Sequence, residues 1–200
     1  LAEALPNLES KEVEGAACVV LDVDSAEVLA AASSPTFSQA TYSADYQANL
    51  ENPLNPLFNR AFQGLYPPGS TFKMITAIAG LESGIITPGT EIEDEGRYTY
   101  WSTPQPQCWY YREYGRKHGL VNVSEALEVS CNYFFYDVGR RTGIDTLVEY
   151  AQKFGLGQST GIELPENIGQ VASPEVKAAS PAYADDPQWR PGDVIQAGIG

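Results

Sequence analysis

The chain has 200 residues, 43% of them hydrophobic and 11% aromatic, which is apolar material for one sizeable core or a core plus a small lobe and excludes a disordered chain. A formal net charge of -14 and a pI near 4.3 argue against nucleic acid as a partner, because gripping phosphates needs Lys and Arg to displace counterions. This stretch of sequence has no run of about 18 apolar residues, and Leu1 to Glu14 are acidic and polar, so it shows neither a transmembrane helix nor a signal peptide.

In chain order, residues 1–14 read as an N-terminal segment and residues 15–200 as one domain. The apolar runs 16–23 and 28–32 flank the polar turn Asp24-Ser25-Ala26-Glu27 and predict a β-hairpin. Both runs are nearly continuous rather than alternating, so both faces are expected to be covered. Residues 34–69 hold five prolines among Asn and Ser and read as irregular connection. From Ser70 to Ser83 the apolar residues Phe72, Ile75, Ile78, Ala79 and Leu81 fall at near-helical spacing, with Gly84 as a stop. Residues 87–119, rich in Gly, Pro, Tyr and Trp, read as loops and short strands.

A second helical block opens at Asn122, whose spacing to Glu125 is that of an N-cap and its reciprocal partner, and runs to about Val129. A helix over 133–141 stops at Gly143, and Asp145 is expected to cap another that carries Leu147, Val148, Ala151 and Phe154. The sequence ends in the apolar, glycine-rich run Val194 to Gly200, which reads as cut mid-domain. Cys18, Cys108 and Cys131 lie far apart with no C-x-x-C spacing, which argues against zinc and against a redox dithiol, so no metal or cofactor is expected.

The sharpest local feature is Tyr66-Pro67-Pro68-Gly69-Ser70-Thr71-Phe72-Lys73. Its prolines and glycine hold the chain out of helix until Ser70, which places Ser70 in the first turn and Lys73 on the same face. A serine hydroxyl is a weak nucleophile, and lysine takes its proton only when burial or positive potential lowers the amine's pKa. A buried helix start supplies both. Taken alone the pair also fits an ordinary capping serine and a lysine that reaches out to water.

Ser130-Cys131-Asn132 lies between two predicted helices, where Ser130 can relay a proton to a leaving amine and Asn132 can hold a substrate amide. His118 is the sole histidine, and its neighbours Arg116, Lys117 and Gly119 suggest an exposed turn rather than a catalytic triad. Glu91-Ile92-Glu93-Asp94-Glu95 lacks the spacing of a calcium loop and reads as a solvated face. Asn122-Val123-Ser124 matches a glycosylation acceptor, but capping explains it better.

Together these pieces resemble the penicillin-binding protein transpeptidase family, specifically its monofunctional class B type, for which S-x-x-K is a known signature. Asn59-Arg60-Ala61 resembles the family's approach to its nucleophile, and Cys108-Trp109, His118-Gly119, Ala126-Leu127 and Phe134-Phe135-Tyr136 surround the S-x-N region in family order. Phe154-Gly155-Leu156-Gly157, Thr160 to Pro165, Gly192-Asp193 and Ile199-Gly200 extend the likeness over about residues 15–200.

The resemblance implies an α/β (α+β) chain, part of a penicillin-binding/β-lactamase-like fold, in which an N-terminal hairpin of a central antiparallel sheet joins a mainly helical lobe. It implies Ser70 as acylated nucleophile, Lys73 as general base, and Ser130 and Asn132 as the second motif, with the Ser70 N–H as half of an oxyanion hole. It further implies attack on the penultimate D-Ala carbonyl of a peptidoglycan stem peptide, acylation of the same serine by β-lactams, a place on the extracytoplasmic face of the bacterial cytoplasmic membrane, and partnership with other membrane proteins of cell-wall synthesis. The family's third motif, K-[S/T]-G, is absent, since Lys11, Lys73, Lys117, Lys153 and Lys177 all lack that context. In the family it lies beyond the region of Gly200. A D,D-carboxypeptidase or β-lactamase-type hydrolase, and a non-catalytic penicillin-binding sensor or scaffold, are the alternative readings.

Overall fold

The structure, a computed structural model, describes residues 13–200. The expected N-terminal segment therefore lies, but for its last two residues, outside the described residues. The chain divides into two compact units, one running up to Tyr66 and taking in Gly161–Asn167, the other formed by Pro67–Thr160 and Ile168–Gly200.

The first unit is built on the predicted hairpin, with β1 (Ala16–Leu21) antiparallel to β2 (Val28–Ser34) and a register shift after Val20. Asp22 shapes the turn by accepting from the backbone N–H groups of Asp24 at 3.0 Å and Ser25 at 2.8 Å. Two helices interrupt the stretch expected to be irregular, α1 (Tyr42–Glu51) and α2 (Arg60–Gln63). The prolines that argued for loop sit outside both helices, and a short proline-free window was enough for each. Ser33 Oγ accepts from the Ala61 N–H at 3.1 Å, fixing α2 to the hairpin, and Asn167 returns to α2 through its N–H on the Phe62 carbonyl at 2.9 Å. The hairpin's apolar residues are not covered on both faces as expected: Leu29 is 62% exposed and Leu21 53%. Among the described residues of this unit these side chains stay exposed, so the continuous apolar pattern here marks surface able to be covered rather than surface already buried.

The second unit is helical. A single 3-10 turn (Gly69–Phe72) leads into α3 (Lys73–Glu82). Next come β3 (Ile92–Asp94), α4 (Trp109–Tyr114), β4 (Gly119–Val121), α5 (Val123–Glu128), α6 (Asn132–Thr142), α7 (Ile144–Lys153), α8 (Pro174–Ala179) and α9 (Pro191–Ala197). Strands β3 and β4 pair antiparallel, Ile92 opposite Val121 and Asp94 opposite Gly119. Helix α4 was not foreseen in the Tyr- and Trp-rich excursion. Asn122 caps α5 with the predicted reciprocal pair, its Oδ1 accepting from the Ser124 and Glu125 N–H groups while Glu125 accepts from the Asn122 N–H. Asp145 does not cap α7: the cap position is Gly143, whose φ of 80° suits glycine, and Asp145 lies inside the first turn.

Phe134, Phe135 and Val138 of α6 are fully buried with Ala77, Ile86, Val121, Val123, Ala126, Cys108 and Cys131, and each large apolar side chain there contributes roughly 1.5–3 kcal/mol. The residues that α3 buries are Lys73, Thr76, Ala77, Ala79 and Gly80, so of the predicted apolar face Ala79 is buried, whereas Ile75, Ile78 and Leu81 are half-buried. Close neighbours explain the small residues. A Cβ on Gly80 would come 2.8 Å from Val138 Cγ1, and Gly139 on α6 meets the Gly198 backbone so closely that its Cβ would stand 3.1 Å from Gly198 Cα. Thr76 Oγ1 donates to the Gly198 carbonyl at 2.8 Å, tying α3 to the end of α9.

Candidate active site

Gly69 has φ +56°, a backbone that side-chain-bearing residues rarely adopt, and it turns the chain out of the prolines into the 3-10 turn that carries Ser70. In 3-10 geometry residues i and i+3 eclipse each other, so Ser70 and Lys73 share a face even though Ser70 precedes the α-helix rather than opening it. Ser70 is exposed, while Lys73 is only 1% exposed.

Lys73 Nζ donates to the Ser130 carbonyl at 2.8 Å, to Ser130 Oγ at 3.0 Å and to Asn132 Oδ1 at 2.5 Å. Its three donors are thereby spent on the second motif and none on Ser70. The structure thus brings Lys73, Ser130 and Asn132 into direct contact, although 57 residues separate Lys73 from Ser130 along the chain. Burial brings the Lys73 ammonium down from 10.5 to about 8, and negative charge on Cys131 and Cys108 opposes that fall. Such an amine is close to the point where it can accept a proton at neutral pH. Ser130 itself has φ +51°, so its carbonyl and its hydroxyl both turn toward Lys73 only because the surrounding structure holds a costly backbone.

Cys131, between the two motif residues, points the other way, into a buried cluster that the sequence spacing had argued against. Its Sγ lies 4.0 Å from Cys108 Sγ and 3.5 Å from Asp94 Oδ2, and His118 Nδ1 lies 2.7 Å from Asp94 Oδ2 and 3.5 Å from Cys108 Sγ. All four donor atoms fall within 4.8 Å of one another. His118 is not on an exposed turn as expected; its side chain is 7% exposed. Nor is the acidic run wholly solvated, because β3 alternates and sends Asp94 inward while Glu91, Glu93 and Glu95 stay exposed. The hydrogen bond between the two sulfurs draws the Cys108 thiol down and, together with burial, pushes the Cys131 thiol up. Burial pushes Asp94 up, but hydrogen bonds from the Gly96 N–H, His118 and Cys108 outweigh it and hold the carboxyl low. Two sulfurs, an imidazole nitrogen and a carboxylate oxygen suit a tetrahedral zinc, and bonds of about 2.3 Å to sulfur would set the two sulfurs about 3.8 Å apart.

The family model for the penicillin-binding protein transpeptidase domain matches residues 16–197. The chain belongs to this family. Among curated members of the transpeptidase family it is 39% identical over 193 residues to the peptidoglycan D,D-transpeptidase MrdA of Escherichia coli strain K12, covering 92% of this chain and 29% of that protein. Among solved transpeptidase structures it matches the complex between PBP2 and MreC from Helicobacter pylori with TM-score 0.82 and 29% identity, over 100% of this chain and 36% of that one. The penicillin G acyl-enzyme complex of penicillin-binding protein A from M. tuberculosis matches with TM-score 0.74 and 28% identity, over 92% of this chain and 41% of that one. The chain thus spans less than a third of the length of its curated transpeptidase relatives. The expected mixed α/β architecture of a penicillin-binding transpeptidase domain is borne out, with its hairpin and its mainly helical lobe. No helix of the described residues is long and apolar enough to cross a membrane.

Proposed function

We propose that the protein carrying this chain is a peptidoglycan D,D-transpeptidase that works through an acyl-enzyme on Ser70. The observation that carries this reading is the buried Lys73, one turn after Ser70 and bonded at once to Ser130 and Asn132. In the reaction, neutral Lys73 takes the Ser70 hydroxyl proton as Oγ attacks the penultimate D-Ala carbonyl of a stem peptide. The peptide C–N bond breaks, and Ser130 passes a proton to the departing D-Ala amine. An amine of a neighbouring stem peptide then attacks the ester and frees Ser70. Asn132 holds the substrate's amide. A β-lactam would acylate the same oxygen by opening its ring amide. The MrdA likeness supports the extracytoplasmic face of the cytoplasmic membrane as the place of work, and the H. pylori PBP2–MreC complex supports another membrane-associated protein of cell-wall synthesis as partner.

Intact-mass analysis of the protein after incubation with benzylpenicillin is expected to show one adduct, on Ser70, that vanishes in Ser70→Ala. An adduct on another residue, or none on folded protein, would remove this reading in favour of a scaffold. Release of free acid instead of a cross-linked product would point to a hydrolase.

The convergence of Asp94, Cys108, His118 and Cys131 favours a second, structural role for the same region, as the seat of one zinc ion. Elemental analysis of protein purified without added metal and dialysed is expected to give about one zinc per chain, lost in Cys131→Ala. Metal-free protein that keeps its folded state after zinc is offered would end that assignment.

A further inference from the structure

Both oxygens that Ser130 presents to Lys73 depend on the backbone of a single residue in a left-handed conformation. A serine gains nothing from that conformation by itself, so the neighbours on either side must hold it. On the C-terminal side the hold is evident: Cys131 is fully buried in the sulfur and carboxylate cluster, its N–H donates to the Ala126 carbonyl at 2.8 Å, and its sulfur accepts from the Phe134 N–H at 3.5 Å at the start of α6. On the N-terminal side Val129 is the residue just past α5, and its carbonyl has no following turn of helix to bond. That carbonyl accepts from Trp109 Nε1 at 3.1 Å.

Trp109 is well placed to act as a fixed point. It opens α4 directly after Cys108, whose N–H donates to the Gly96 carbonyl at 2.8 Å, and its ring packs edge-on to Tyr114 at 6.2 Å and beside His118 at 5.9 Å. Both Trp109 and Val129 pack against the buried core. The bond therefore joins a rigid, half-buried anchor to the peptide immediately before Ser130.

We propose that Trp109 is a positioning residue for Ser130, holding the Val129–Ser130 peptide so that the Ser130 carbonyl and hydroxyl face Lys73. This rests on the acyl-enzyme reading above. Trp109 touches neither Ser70 nor Lys73 in this scheme and acts only through the turn. A bulky core residue without that role would tolerate Phe, which keeps the ring and loses only the donor.

The test is pre-steady-state acylation of the whole protein by benzylpenicillin, with wild type, Trp109→Phe, Ser130→Ala and the double variant compared. Trp109→Phe is expected to lower the first-order acylation rate about tenfold, the scale of one oriented buried hydrogen bond, while leaving the dissociation constant of the pre-acylation complex nearly unchanged. In the Ser130→Ala background the same change is expected to cost clearly less, because the hydroxyl it positions is gone and only the residue-130 carbonyl is left to hold. An unchanged acylation rate, or an equal loss in both backgrounds, overturns the proposal. If Trp109→Phe melts appreciably earlier than wild type, 3-benzothienylalanine at position 109 keeps the shape and removes the donor, and the same pair of outcomes decides. Wild type that forms no adduct on Ser70 overturns the acyl-enzyme reading, and this inference with it, whereas normal wild-type acylation with an indifferent Trp109→Phe overturns the inference alone.

Discussion

Lys73→Ala is expected to cut the rate of penicillin acylation by about a thousandfold while the protein still binds the drug reversibly, since general-base catalysis is commonly worth about 10²–10⁴-fold and Lys73 is the amine that meets Ser130 and Asn132 among the described residues. The pH dependence makes the prediction sharper. With the amine at about 8, its neutral, proton-accepting form is the minority at pH 7 and falls tenfold for each further unit of acid. Acylation should therefore rise with slope one up to about pH 8 and level off above it. A profile that levels off only near the ordinary lysine value of 10.5 would mean that Lys73 is not desolvated in the working enzyme, and a flat profile would mean that it is not the base. The depressed value also has a structural consequence. Between pH 8 and 10.5 the unfolded chain binds the proton that the folded site has released, so this lysine's penalty on stability, roughly 3 kcal/mol at neutral pH, is relieved as pH rises through that window.

Asp94→Ala is expected to destabilise the protein by roughly 3–5 kcal/mol, the scale for removing one partner from a buried charged network. Asp94 is fully buried and accepts from the Gly96 N–H at 2.7 Å, from His118 Nδ1 at 2.7 Å and from Cys131 Sγ at 3.5 Å. Alanine would remove one of the four groups that the zinc reading places on the metal and, in the metal-free protein, would leave a buried imidazole, a thiol and a backbone donor without their acceptor, in contact with the turn that carries Ser130. Urea unfolding followed by tryptophan fluorescence measures it, with Asp94→Asn as the milder control because an amide oxygen can still accept. A shift in Asp94→Ala no larger than about 0.5 kcal/mol would show that water or a rearranged loop replaces these bonds, and that the cluster does not organise the excursion between β3 and β4.

Much of the site was legible along the chain because its determinants are local. Proline, proline and glycine ahead of Ser70 fix where the turn begins whatever surrounds it, and three residues on, a 3-10 or an α-helical turn returns Lys73 to the same face. The Asn122–Glu125 cap likewise needs only its own backbone. The helices α3, α5, α6 and α7 were readable for the same reason, whereas α1, α2, α4, α8 and α9 were not foreseen, because flanking or opening prolines and aromatic residues set local tendency against helix without deciding it.

The sequence by itself thus determined the family through its ordered motifs, the nucleophile and base pair as candidates, and the four helices α3, α5, α6 and α7, whose spacing and turn chemistry are short-range. Only the tertiary structure decided that Lys73 is buried against Ser130 and Asn132, that His118 and Asp94 face inward, and that Cys108 and Cys131, 23 residues apart, lie sulfur to sulfur at 4.0 Å. The signals were present but ambiguous: a cysteine between the two motif residues, a lone histidine among charges, and an acid in an acidic run. Which face such a residue shows is set by a strand's register and by the packing of α6 on α3, and those are properties of partners distant in the chain.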